Sequence, residues 1–249
     1  MSGHSKWATI KRKKAVTDSK RGKLFTQIIK EVTIAARMGG GDPKGNPRLR
    51  IAIDKAKASN MPADNIKRAI QKGTGELPGV AYEDVAYEGY GPGGVALIIE
   101  SVTDNRNRTV SEIRHILERH NGKLGASNSV AWMFHRKGLI SVGRSKYGED
   151  ALMELVLDAG ADDMRTEDDT YEITTPPDLF LAVREALEAK GITPDSAEIQ
   201  LVPENTVKVE NKDAEQVLKM METLEDHDDV QHVYANFDID DKVLASFNA

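Results

Sequence analysis

Gly138-Leu139-Ile140-Ser141-Val142 and Ala197-Glu198-Ile199-Gln200-Leu201-Val202 bracket the stretch whose reading decides the fold. Both are short runs rich in Ile, Leu and Val, the composition of strands rather than of helices of that length. Between them a helical period occupies 148–159, two strands fall at 162–166 and 170–175, and a second helix spans 178–190. The order β-α-β-β-α-β predicts a ferredoxin-like topology. On the N-terminal side, strands 82–88 and 95–102 flank Gly89-Tyr90-Gly91-Pro92-Gly93-Gly94, which reads as a hairpin loop. Thr103-Asp104-Asn105 caps a helix over 106–120, with Val110, Ile113, Ile116 and Leu117 inward, and a strand follows at 130–135. Beyond Pro203 come a strand (206–210), a helix (214–224) and a strand (230–237). The flanking pieces read as one α+β domain interrupted by another. The expected architecture is α+β in three domains. A basic arm and three-helix bundle take 1–78, a discontinuous module takes 79–136 with 204–249, and an inserted module takes 137–203. Both modules are expected to be ferredoxin-like.

The N-terminal third is helical by period. Leu24, Phe25, Ile28, Ile29, Val32, Ala35 and Ala36 recur at three- and four-residue steps over a helix from Ser19 to Met38. Gly39-Gly40-Gly41 ends it, and Asp42-Pro43 opens a loop. A second helix, Pro47 to Ser59, buries Leu49, Ala52, Ile53 and Ala56. Met61-Pro62-Ala63-Asp64 starts a third, which carries Ile66, Ala69 and Ile70 inward and is expected to stop at Gly73.

Charge is divided by region. Residues 1–75 hold 18 Lys and Arg against 5 Asp and Glu, a net of +13; the other 174 residues hold 16 against 35, a net of −19. Folding does not require such a split, so the basic third is expected to answer to an anionic partner, phosphate polymers being the commonest. There is no cysteine among the 249 residues, which excludes disulfide scaffolds, thiolate metal sites and a cysteine nucleophile. The N-terminus Met1-Ser2-Gly3-His4-Ser5-Lys6 is polar, unlike a signal peptide. The longest apolar run, Val95 to Ile99, is too short to span a bilayer. A cytoplasmic protein without a membrane partner is expected.

Catalytic constellations fail on context. Gly89, Gly91 and Gly94 match G-x-G-x-x-G, but a strand follows where a phosphate-binding helix must begin. His115/His120 and His227/His232 are spaced five apart, off the one-face spacing of helical zinc ligands. The acids Asp162, Asp163, Glu167, Asp168 and Asp169 lack the order of a calcium loop and read as a solvated turn. Neither an enzyme, a cofactor nor a metal is expected.

The cations carry the functional signal. Lys6, Trp7, Lys11, Arg12, Lys13 and Lys14 form an arm in which lysine and arginine neutralise phosphates and the indole stacks on a base. Alternatively, Trp7 packs on the helical unit and the lysines solubilise. Lys23, Lys30 and Arg37 recur every seven residues on the face opposite Leu24, Ile28 and Ile29. Arg48, Arg50, Lys55 and Lys57 decorate the second helix, and Lys67, Arg68 and Lys72 the third; acids are nearly absent among them. Arg106 and Arg108, in Asp104-Asn105-Arg106-Asn107-Arg108-Thr109, read equally as a phosphate-binding helix start or as a capping turn.

Gly3-His4-Ser5-Lys6-Trp7, Arg21-Gly22-Lys23-Leu24-Phe25, Asn60-Met61-Pro62, Gly89 to Gly94 and Thr103 to Thr109, in that order, resemble the YebC family. The resemblance implies three domains around a cleft: a helical bundle and two α+β modules, one inserted in the other. Members are usually described as probable transcriptional regulators that bind DNA. Others, including the mitochondrial translational activator of cytochrome c oxidase, act in translation, and bacterial members are linked to ribosomes stalled on proline runs. Carried over by position, the arm, Trp7, Lys23 and the Arg106/Arg108 turn are the expected contacts to DNA or ribosomal RNA, and Arg21 is a further candidate contact. The acidic modules are left to face the ribosome or another protein.

Overall fold

The computed structural model describes residues 18–144, 147–167, 169–240, 243, 244 and 247, with side chains from residue 22 onward. The chain forms two compact units, Met1–Ala131 with Thr206–Ala249, and Trp132–Asn205 between them in sequence.

The first unit begins with α1 (Asp18–Gly39), α2 (Pro47–Ala58) and α3 (Ala63–Thr74). Their apolar faces meet in one cluster of Ile28, Val32, Ala35, Ala36, Leu49, Ala52, Ile53, Ala56, Met61, Ile66 and Ala69. Asn46 welds the α1–α2 corner. Its Oδ1 accepts from the Leu49 amide at 3.1 Å, while its Nδ2 donates to the carbonyls of Ala35 and Gly40 at 2.8 and 2.9 Å. The third helix does not stop at Gly73; it runs to Thr74. Gly73 is a contact residue. A β-carbon there would lie 2.3 Å from the Thr33 carbonyl oxygen, so only glycine lets α3 approach α1 this closely.

After the bundle, β1 (Glu83–Tyr90) and β2 (Ala96–Thr103) form the expected hairpin, closed by a short 3-10 turn at Pro92–Gly94. Then follow α4 (Arg106–Arg119) and a two-residue β3 (Lys123–Leu124). The first unit resumes after the second with β8 (Val207–Lys208), α7 (Asn211–Glu225), β9 (Val230–Ala235) and β10 (Phe237–Asp238). The sheet order is β3-β1-β2-β9, each neighbour antiparallel, while β8 and β10 pair separately and in parallel. Four antiparallel strands and two helices are therefore reached by the path β-β-α-β, then α-β. One sheet face and the helices α4 and α7 share the larger core, including Leu97, Ile99, Ile113, Leu117, Leu218 and Val233. On the opposite face α1 lies across β2 and β9.

The second unit is β4 (Phe134–Gly143), α5 (Glu149–Asp158), β5 (Asp163–Thr166), β6 (Thr170–Thr175), α6 (Phe180–Ala189) and β7 (Ser196–Pro203). Its sheet order is β5-β6-β4-β7, antiparallel throughout, the ferredoxin-like arrangement. The expected strand at 130–135 is instead a 3-10 turn at Ala131–Met133 followed by one continuous strand, so the expected boundary at 136/137 falls inside β4. The expected strands end at His135 and resume at Gly138, a gap over Arg136-Lys137 that the continuous β4 fills. Gly138 is required within the strand, because a β-carbon there would meet Thr175 Oγ1 at 2.3 Å and Phe180 at 2.6 Å.

Candidate nucleic-acid interface

The cations of the basic third divide into two sets. Of the stripe Lys23, Lys30, Arg37, Lys30 is buried and Lys23 half-buried, while Arg37 is exposed. Helical period places the stripe opposite the apolar face, and that side of α1 is covered by the α+β module. Lys30, only 8% exposed, donates to Asp229 Oδ1 at 2.7 Å and to the Asp228 carbonyl at 2.9 Å, and sits 5.8 Å from the centre of the Tyr82 ring. Arg37 donates to the Tyr82 carbonyl at 3.2 Å, and Gln27, between them, to the Val230 carbonyl at 2.8 Å. Lys23 stands 3.9 Å from Asp226 and 4.0 Å from Asp228. Arg48 is likewise engaged, gripping Glu31 of α1 and Asp84 of β1 at 2.6–3.0 Å through four hydrogen bonds. Those two carboxylates, with burial opposing them, hold the Arg48 guanidinium well above its ordinary value. Arg50, two positions on, lies on the other flank of α2 and is half-buried.

The block Thr103 to Thr109 is a capping turn built around one buried acid. Asn105 Oδ1 accepts from the Arg108 amide at 3.1 Å, and Thr103 Oγ1 accepts from the Asn105 amide at 2.9 Å. Asp229, 3% exposed, receives Arg108 Nη2 at 2.7 Å, Thr109 Oγ1 at 2.7 Å and Thr103 Oγ1 at 3.2 Å besides Lys30. Burial alone would raise its pKa; the two cations and the threonine hydroxyl outweigh that and push it far below the usual carboxylate value of 3.8. Arg108 also bonds Asp104 at 2.9 Å, leaving Arg106 as the exposed arginine of the turn without an ion pair among the described residues.

These groups line an open groove of about 570 Å³ with Thr26, Tyr82, Glu112 and His227. His227 Nδ1 accepts from the Asp229 amide at 3.1 Å, so Nε2 carries the hydrogen donated to Glu112 at 2.8 Å. Glu112, His227 and Asp229 offer ligand atoms within 4.8 Å of one another, but Lys30 and Arg108 already neutralise Asp229, which disfavours a cation there.

The second set is open to solvent. Lys55 and Lys57 on α2, and Lys67, Arg68 and Lys72 on α3, are exposed and form no ion pair among the described residues. Lys6, Trp7, Lys11, Arg12, Lys13, Lys14 and the side chain of Arg21 lie outside the described residues. Among those described, no helix is long and apolar enough to cross a membrane.

Two family models cover most of the chain. One, described as the TACO1/YebC protein N-terminal domain, matches residues 5–76; the other, the TACO1/YebC second and third domain, matches 82–237. The chain belongs to the TACO1/YebC family. A relative from Pelodictyon phaeoclathratiforme, named probable transcriptional regulatory protein, is 59% identical over 250 residues and the whole of both chains. A relative of the same description from Geobacter sulfurreducens is 59% identical over 96% of each chain. Among solved structures, a conserved hypothetical protein from Aquifex aeolicus is 46% identical with a TM-score of 0.81, over 90% of this chain and 92% of that one. In this TACO1/YebC chain the N-terminal family domain coincides with the arm and bundle.

Sequence reading missed Asp229 and Glu88. Nothing local marks either: Asp229 sits in an acidic run, and Glu88 is one of several acids within β1. Glu88 accepts the amides of Asn128, Val130 and Ala131 at 2.6–2.9 Å. These bonds lower its pKa against the opposing effect of burial.

Proposed function

We propose that this chain is a nucleic-acid-binding regulator of gene expression, a transcriptional regulatory protein that binds DNA through its basic N-terminal module. The observation that carries this reading is the set of outward cations Lys55, Lys57, Lys67, Arg68 and Lys72, exposed and without ion pairs among the described residues, on two adjoining helices. Ordinary exposed helix faces mix signs and neutralise themselves; this one leaves its positive charge for a partner. The names of the curated relatives support the same reading. The arm, with Lys6, Trp7 and Lys11 to Lys14, extends that surface by sequence, and Arg106 adds a cation at the α4 start. The surplus of acids elsewhere disfavours non-specific docking of nucleic acid on the α+β modules. The reading involves no catalytic step.

Crosslinking in cells followed by sequencing of the attached nucleic acid tests it. Enrichment of promoter fragments is expected; recovery of ribosomal RNA alone would place the activity in translation instead. In vitro, alanine at Lys55, Lys57, Lys67, Arg68 and Lys72 together should weaken binding uniformly across sequences. The salt slope should flatten by about 0.9 for each phosphate that is no longer neutralised. An unchanged slope would remove α2 and α3 from the interface.

A further inference from the structure

The acidic turn Asp226–Asp229 occupies the ground that the α1 stripe and the α4 arginine would otherwise offer to an anion. Three cations from two helices converge on it: Lys23 and Lys30 from α1 and Arg108 from α4. Their engagement is unequal. Lys30 and Asp229 form a buried pair at 2.7 Å, with side chains 10% and 4% exposed, and this pair is part of the core. Lys23 has only contacts at 3.9 and 4.0 Å to Asp226 and Asp228, whose side chains are 51% and 81% exposed. Contacts of that length between solvated groups are weak and screened by salt. Arg108 spends Nη2 on Asp104 and Asp229 and reaches Glu112 through Nε at 4.0 Å, leaving Nη1 without a partner among the described residues. The groove lined by Lys30, Arg108, Asp226 and Asp228, about 570 Å³, has room for a nucleotide-sized group, and Lys23 adjoins it through its contacts to Asp226 and Asp228.

We propose that the Asp226–Asp229 turn is an autoinhibitory plug, its exposed carboxylates shielding a phosphate-binding site formed by Lys23 and Arg108. This rests on the nucleic-acid-binding reading above. As built, the groove rim is dominated by Asp104, Glu112, Asp226 and Asp228 and repels a polyanion. Backbone phosphates held by the neighbouring basic helices are a local, multivalent competitor. They displace Asp226 and Asp228 from Lys23 while the buried Lys30–Asp229 pair stays intact. Plug removal therefore adds phosphate contacts without unfolding the turn.

The test uses the full chain, with binding of fluorescein-labelled single-stranded RNA and duplex DNA followed by anisotropy across a salt series. The variant Asp226→Asn/Asp228→Asn is compared with Asp213→Asn/Glu215→Gln, which removes the same charge from exposed positions in the first turns of α7. Each is made with and without Lys23→Ala. The plug variant is expected to bind roughly 5- to 10-fold tighter than the control pair, and adding Lys23→Ala should erase that excess. A gain no larger than the control's, or one that survives Lys23→Ala, overturns the plug while leaving nucleic-acid binding in place. Failure of the parent and every variant to bind either ligand overturns both. Melting curves check the fold, and Asp228→Asn alone carries the comparison should the double variant not fold.

Discussion

At the scale of single residues, Asp229 organises the first unit. It sits 199 residues from Lys30 in sequence yet bonds it directly, and it collects Arg108 and Thr109 at the same carboxylate. Removing one partner of a buried pair leaves an uncompensated charge, so Asp229→Asn should lower stability by about 3–5 kcal/mol at neutral pH, read by urea titration. The acid response follows from the same group. Its folded pKa is depressed, so its contribution is complete above the ordinary value of 3.8 and is lost as pH falls below it. The parent should thus lose stability below that point more steeply than Asp229→Asn; parallel curves for the two would show that the carboxylate is not what acid attacks. Thr103-Asp104-Asn105 is legible as a cap from its residue types. The bonds that Thr103 and Thr109 give Asp229 are not, because hydrogen-bond direction follows from neighbours that local sequence does not name.

At the scale of elements, periodicity read α1, α2 and α3 well, since burial on one face is imposed by the 3.6-residue turn whatever the partner. What failed were the glycines. Gly73 reads as a stop because glycine weakens helices, and the expected 136/137 boundary cuts β4 just ahead of Gly138; both glycines sit inside their elements, where another backbone or ring presses close. Gly73→Ala tests the close approach. A glycine inside a helix with open space around it would gain about 0.5–1 kcal/mol from alanine. A close approach to Thr33 predicts a destabilisation of about 1–3 kcal/mol, measured as a fall in the urea midpoint. The Asn46-Pro47 pair, by contrast, is a cap and first-turn signal legible in residue type alone.

At the scale of the whole molecule, the segment Trp132–Asn205 is continuous in sequence and carries its own sheet and a core of Ile140, Val142, Leu152, Val156, Ile173, Phe180 and Leu187. Produced alone, it should fold cooperatively, with a single thermal transition and strand and helix signals by circular dichroism; a non-cooperative melt would mean that it depends on the rest of the chain. The sequence by itself determined the helices, the hairpin, the β-α-β-β-α-β order and the division of charge, because each is written in local spacing or in composition. Only the tertiary structure decided which cations remain open to a partner. A helical period fixes the direction in which Lys23, Lys30 and Arg48 point relative to their own helix, but the acids that meet them come from distant parts of the chain. Coulombic pairing acts through space, and space is what folding supplies.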